Sequence, residues 1–213
     1  MIFRLGEHLI FPDPAMADED GLLAVGGDLS APRLLLAYRQ GIFPWYGNDT
    51  PILWYAPKKR FVLYPAELKV SKSMRRTMRS GRFTITVNQC FADIIKNCSS
   101  AFRKDQPGTW ITDDMIAAYI GLHRMGYAHS VETWEHGLLV GGLYGVQVGC
   151  IFCGESMFSK TSDASKAALI CLCECGRYDL IDCQVHTGHL ASLGARMIDN
   201  PVYLQLLQQQ PEP

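Results

Sequence analysis

The chain is predicted to be an α+β protein, on three observations. Strand-like runs at 130–134, 138–147 and 148–153 follow one another in the middle of the sequence. His136-Gly137 is a turn signal between the first two. Such closely linked strands make an antiparallel meander, and the mixed order around it does not repeat the strand–helix unit of a doubly wound sheet. The 213 residues, 48% hydrophobic and 19% charged, suit one core or one core plus a small extra lobe.

The elements are justified in order. Ser30 reads as an N-cap, with Pro32 in the first turn and Gly41 past the helix end. Leu34, Leu35 and Tyr38 share a face of that helix. Gly41-Ile-Phe-Pro-Trp-Tyr-Gly47 reads as an aromatic loop punctuated by Gly and Pro. Residues 61–64 form a short strand, and Pro65 marks a border between a small N-terminal α/β domain, 1–64, and a larger one, 65–213. Residues 71–80 form a helix ended by Gly81. Phe83, Ile85 and Val87 alternate as a half-buried strand, and Phe91, Ile94, Ile95 and Cys98 have helical spacing. Thr112 caps a further helix whose first turn holds Asp113 and Asp114, favoured by the helix dipole. An Ala-rich helix over 163–175 stops at Gly176, a strand covers 180–185, a helix lies near His189, and Asn200-Pro201 opens the last.

Composition excludes several classes. No apolar run reaches the ~18 residues of a membrane span, and Met1-Ile-Phe-Arg-Leu-Gly-Glu7 is no signal h-region. A cytosolic location is expected, where the eight cysteines stay reduced. Cys150 and Cys153 have zinc-knuckle spacing, but Cys171, Cys173 and Cys175 lie on a helical run that splits them between faces. No metal is expected. No phosphate-binding Gly-rich loop, dinucleotide fingerprint or Gly-x-Ser-x-Gly elbow occurs, so no cofactor is expected either.

The net charge of −1 hides an asymmetry. Residues 58–82 carry nine Lys/Arg against one acid, Glu67, the footprint of a local anionic partner. Within it Lys72, Arg75, Arg76 and Arg79 fall on one helical face and Met74 and Met78 on another, which fits a phosphate backbone and equally a solvated amphipathic helix. Trp45 and Trp110 sit in Gly/Pro loops, where a flat ring can stack a base or simply pack in the core. On the 180–185 strand, Ile181, Cys183 and Val185 make an apolar face, and Asp182 and Gln184 share the other. A carboxylate and an amide so placed can hold and orient an amine. Glu155, in Phe152-Cys-Gly-Glu-Ser-Met-Phe158, follows the third meander strand among apolar neighbours. If buried, it must find partners or shift its pKa.

These stretches, with Gly21-Leu-Leu-Ala-Val-Gly-Gly-Asp-Leu29, Gly108-Thr-Trp-Ile-Thr112, His129-Ser-Val-Glu132, Gly141-Gly-Leu-Tyr-Gly145, Ala164-Ser-Lys166 and Ala191-Ser-Leu-Gly-Ala195, resemble in order the leucyl/phenylalanyl-tRNA–protein transferases. The resemblance implies an N-acetyltransferase-like C-terminal domain behind a small N-terminal one, acting as a monomer. It implies that Trp45 and Trp110 hold the terminal adenosine of a leucyl- or phenylalanyl-tRNA, with methionyl-tRNA a further candidate donor. Tyr38, Leu143, Phe152, Glu155 and Ile181 would bind substrate, chiefly the carried side chain. It places Asp182 and Gln184 at the reaction centre and Lys72, Arg75, Arg76 and Arg79 against the acceptor stem. The acceptors would be proteins beginning with Arg or Lys, thereby marked for degradation. The stretch from Glu174 to Asp182 is short for the family, and His186-Thr-Gly-His189 stands where an Asn-Asp pair before the His is expected. Two other readings remain open on the residues alone: an acetyl-CoA N-acetyltransferase, whose Arg/Gln-x-x-Gly-x-Gly/Ala signature is missing, and a non-catalytic tRNA-binding module.

Overall fold

The computed structural model describes residues 2–101 and 110–210. Among them the strands form two sheets. The smaller takes β1 (Phe3–Leu5), β2 (Leu22–Gly26), β3 (Phe43–Pro44) and β4 (Leu53–Tyr55) in the order β1-β2-β4-β3, with helix α1 (Ala31–Arg39) between β2 and β3. β3 lies inside the stretch expected to be a loop. Its two residues pair with β4 through Phe43↔Tyr55 and Pro44↔Trp54, too short a run for alternation to reveal.

The larger sheet is built from β5 (Lys59–Leu63), β6 (Thr84–Val87), β7 (Ala128–Glu135), β8 (Leu138–Val148), β9 (Ile151–Ser159), β10 (Leu180–Gln184) and β11 (Arg196–Asp199). Its order is β11-β5-β10-β9-β8-β7-β6. Every pair is antiparallel except β9–β10. The expected meander is β7-β8-β9, and His136 and Gly137 turn the first corner with φ of 52° and 76°. The second corner is Gly149-Cys150, so the third strand starts at Ile151, three residues later than expected, and it runs past the expected end at 153 through Glu155 to Ser159. The border expected at Pro65 falls after β5, an inner strand of the larger sheet. The changeover between sheets lies between Tyr55 and Lys59.

Helices cover both faces. On one side α1, α3 (Phe91–Ser100), α4 (Asp113–Arg124) and α7 (Asn200–Gln208) share a core with the smaller sheet, including Leu34, Trp54, Ile94, Tyr119, Tyr144 and Tyr203. On the other, α5 (Ala164–Glu174), through Leu169 and Leu172, and the short α6 (Gly188–Ser192) pack over Leu143, Phe152 and Ile181. Two successive glycines on β8 allow this close approach. A Cβ on Gly141 would meet Ala164 Cβ of α5 at 2.6 Å, and one on Gly142 would meet Ile94 Cδ1 of α3 at 2.5 Å. α2 (Lys72–Arg79) is capped by Ser71, whose hydroxyl accepts from Met74 N at 3.1 Å. It docks through buried Met74 on Ala167 and Ile170 of α5, a contact worth about 1.5–3 kcal/mol.

Candidate functional site

β9 and β10 run parallel only through Leu180↔Ile151, Ile181↔Phe152 and Asp182↔Cys153. β9 then continues along β8, while β10 leaves it. The register of β10 against β5 shifts between Asp182 and Gln184, and Gln184 takes φ of 59°. A left-handed non-glycine residue costs about 1–2 kcal/mol, and a bulge re-aims the side chain that follows it. The result is a wedge between the two strands with different chemistry on its two sides.

On the side of α1 and α4 the wedge is polar. Glu155 Oε1 accepts from Tyr38 Oη of α1 at 2.7 Å and from Gln184 Nε2 at 2.7 Å, and Glu155 Oε2 accepts from Tyr119 Oη of α4 at 3.3 Å. The two tyrosine hydroxyls also bond to each other. Burial raises the Glu155 pKa to about 7, although the three donors each pull it down. Tyr38 and Tyr119 stay protonated well beyond the ordinary tyrosine range, first because they are buried and next because of the Glu155 charge. Glu155 is thus an inward-facing residue within β9, not one that follows the strand's end.

Asp182 is fully buried and paired with Arg60 of β5. Arg60 Nε donates to both carboxylate oxygens at 2.9 and 3.0 Å, Nη2 donates to Oδ2 at 2.7 Å, and Nη1 donates to Gly41 O at 2.9 Å. Tyr203 Oη donates to Oδ2 at 2.9 Å, and the backbone N of Gln184 donates to Oδ1 at 2.9 Å. Burial alone would lower the Arg60 pKa, but the Asp182 carboxylate outweighs it and holds the pKa above its ordinary value. Asp182 therefore holds Gln184 by its main chain, while the Gln184 amide is held by Glu155.

The opposite side of the wedge is apolar. Leu143, Phe152, Met157, Leu169, Leu172 and Ile181 line a cavity of about 90 Å³ whose floor reaches Gly154 and Asp182. Glu155 does not line it. Val185, expected on the apolar face, is 45% exposed because the chain has left the strand after Gln184. Thr187 caps α6 by accepting from Leu190 N at 3.2 Å, so the departure at 186–189 builds a helix start.

Trp45 is half-buried, hydrogen-bonded through its N to Leu53 O at 2.9 Å, with its ring 5.6 Å from that of Tyr55. Trp110 is half-buried against the main core. Gly108 and Thr109 of its motif lie outside the described residues. The neighbouring Tyr46 and Thr112 side chains are 3.2 Å apart and bring the two tryptophan segments together. Lys72, Arg75, Arg76 and Arg79 form one exposed concave face of α2, and among the described residues none makes an ion pair. By contrast Arg60 and Arg82, part of the same basic stretch, are spent on Asp182 and Glu135. Among the described residues no group of three or more His, Cys, Asp or Glu is placed to hold a metal ion.

Arg60, Tyr119 and Tyr203 are the site residues that sequence reasoning missed. Tyr119 and Tyr203 carry helical spacing that reads as core. Arg60 alternates with Val62 on a strand face, the one local sign that its charge points inward.

The family model for leucyl/phenylalanyl-tRNA protein transferase matches residues 62–208, and that for the N-terminal domain of the same family matches 27–58. The leucyl/phenylalanyl-tRNA–protein transferase of Syntrophobacter fumaroxidans is 57% identical over 209 residues, 97% of this chain and 89% of that one. Its namesake from Flavobacterium johnsoniae is 50% identical over 210 residues, 97% and 99% of the two chains. Among solved structures, FemX superposes with a TM-score of 0.50 at 11% identity, covering 84% of this chain and 71% of that one. That likeness is one of fold alone, a mixed sheet covered by helices.

Proposed function

The chain belongs to the leucyl/phenylalanyl-tRNA–protein transferase family, and from that premise we propose that its transfer reaction runs in the wedge between β9 and β10. It is an aminoacyltransferase that uses aminoacyl-tRNA and a protein acceptor. The donors are leucyl- and phenylalanyl-tRNA, and the acceptors are N-terminal Arg or Lys residues, which the transfer marks for degradation. The enzyme works as a monomer in the cytoplasm. No helix among the described residues is long and apolar enough to cross a membrane.

One observation carries this reading: a side-chain-sized apolar cavity and the Gln184 amide stand on either side of the same strand end. The carried Leu or Phe side chain enters the cavity formed by Leu143, Phe152 and Ile181. Trp45 and Trp110 stack the terminal adenosine, and the face of Lys72, Arg75, Arg76 and Arg79 follows the acceptor-stem phosphates.

The chemistry asks little of the protein. The ester is already activated, and an α-amino group of pKa about 7.7–8.0 is partly neutral at pH 7. The protein must hold the two reactants together and in line. Gln184 Nε2 is committed to Glu155, which leaves Oε1 as the edge of the amide that can face a substrate. Oε1 accepts an N–H of the attacking amine and aims its lone pair at the ester carbonyl; as the C–N bond forms, the ester C–O bond breaks, and the proton lost by the amine ends on the freed ribose hydroxyl of the tRNA. Asp182, neutralised by Arg60, fixes the Gln184 main chain and does not itself attract the acceptor's cationic side chain.

The test is a transfer assay with phenylalanyl-, leucyl-, isoleucyl- and valyl-tRNA and peptides beginning with Arg, Lys or Ala. Transfer from Phe and Leu to Arg or Lys alone is expected. Equal use of all donors would remove the cavity from the reading, and transfer to Ala would remove the acceptor assignment.

A further inference from the structure

We propose that Arg60 is a positioning residue for the transfer: it fixes the 41–45 segment, which leads to Trp45, relative to the bulge that presents Gln184. The inference rests on the assignment of Gln184 made above. Three of the guanidinium's bonds go to Asp182 and one to Gly41 O. Its Cζ lies over the rings of Phe43 and Tyr203, 4.7 Å from each centroid. Arg60 and Asp182 are both 0% exposed.

The oxygens of Asp182 are fully used. Oδ1 takes Arg60 Nε and Gln184 N, and Oδ2 takes Arg60 Nη2 and Tyr203 Oη. A carboxylate offers about four acceptor positions, so none remains for a substrate amine. Asp182 reaches the reaction only through the backbone N of Gln184, a residue with a left-handed φ of 59°. Without an acceptor fixed at that angle, Gln184 would relax toward extended backbone. Its side chain would then follow the strand's two-residue alternation and leave Glu155. At the other end, Gly41 O and the Phe43 ring tie the same guanidinium to the stretch that ends in Trp45. A planar five-donor fork makes all these contacts at once, and a lysine ammonium cannot.

The experiment compares Arg60→Lys, the double variant Arg60→Met with Asp182→Asn, and Gln184→Ala, in single-turnover transfer from preloaded phenylalanyl-tRNA to a peptide beginning with Arg. Arg60→Lys is expected to slow transfer at saturating tRNA by about 10–10²-fold, the cost of a misplacement of ~1 Å. The charged-tRNA concentration for half-saturation should rise far less than the rate falls, because the basic face of α2 is untouched, whereas a general loss of structure would not leave binding so nearly intact. The double variant leaves no buried charge unpaired and should fold cooperatively yet transfer as slowly. Normal transfer by Arg60→Lys, or by a folded double variant where Arg60→Lys does not fold, overturns the proposal. If Gln184→Ala also transfers normally, the assignment of Gln184 itself has failed. If Gln184→Ala is slow while the Arg60 variants are normal, only the role of Arg60 has failed.

Discussion

Gln184 Nε2 donates to Glu155 Oε1 across 2.7 Å, from the end of β10 to β9 beyond the last residue pair the two strands share. The bond does what backbone pairing no longer does there. It keeps the strand ends at a fixed separation and sets which edge of the amide faces outward. Tyr38 and Tyr119 hold the same carboxylate from α1 and α4, so three elements of the fold decide where the Gln184 oxygen points.

Gln184→Ala is therefore expected to lower single-turnover transfer by about 10²-fold, or roughly 2.7 kcal/mol of transition-state stabilisation. Affinity for charged tRNA, measured by filter binding, should hold, because the tryptophans and the basic face lie elsewhere. Loss of binding in proportion to transfer would make Gln184 a binding residue only.

Asp182→Asn keeps the size of the side chain, but it leaves the Arg60 guanidinium buried without a counter-charge. Breaking a buried pair by neutralising one partner costs about 3–5 kcal/mol. Urea unfolding should show a lower midpoint with an unchanged slope. A midpoint equal to wild type would mean that the pair contributes nothing to stability, and any loss of transfer by this variant would then be chemical.

The Glu155 pKa, raised by burial to about 7, gives a signed pH dependence. The folded state binds the proton more tightly than the unfolded chain does. This contribution to stability is complete below the ordinary carboxylate range and is lost as pH rises through about 7. Wild type should thus lose stability relative to Glu155→Gln between pH 5 and pH 8, on the order of 1–3 kcal/mol. Parallel urea curves at the two pH values check this, and identical shifts for both proteins would count against it.

Arg76→Glu places an acid in the middle of the exposed cationic face of α2. Binding should weaken for every donor tRNA alike, and the slope of log affinity against log salt should become shallower by about one or two ions. Unchanged affinity at low salt would return the helix to a solvated surface role.

What the sequence made legible was local. Thr112 accepts from Met115 N as an N-cap should, and Phe91, Ile94, Ile95 and Cys98 are all buried on one side of α3. The positive φ of His136 and Gly137 is what that pair of residues permits. The illegible parts depend on distant partners. Arg60 read as one cation in a basic stretch because Asp182 lies 122 residues away. Glu155 read as a residue just past a strand end, its burial left open, because Tyr38, 117 residues upstream, is what makes a carboxylate tolerable inside a strand. β11 escaped notice because it is an edge strand, with Arg196, Met197 and Asp199 exposed, so its residues carry no alternation.

The apolar cavity yields the last prediction. Ile181 faces it from β10 and is 2% exposed. Ile181→Phe adds bulk to a space of about 90 Å³, at a cost to stability of about 1–3 kcal/mol from overpacking. The two donors should then suffer unequally, because the larger phenylalanyl side chain has less room to lose. Relative kcat/KM for phenylalanyl- over leucyl-tRNA should fall by about 10–200-fold, the range that a single methylene is worth in such a pocket. The measurement is competition between the two charged tRNAs for one peptide beginning with Arg, so a general loss of folded enzyme cancels from the ratio. An unchanged ratio would show that the carried side chain sits elsewhere and that this cavity is only a packing gap beneath α5.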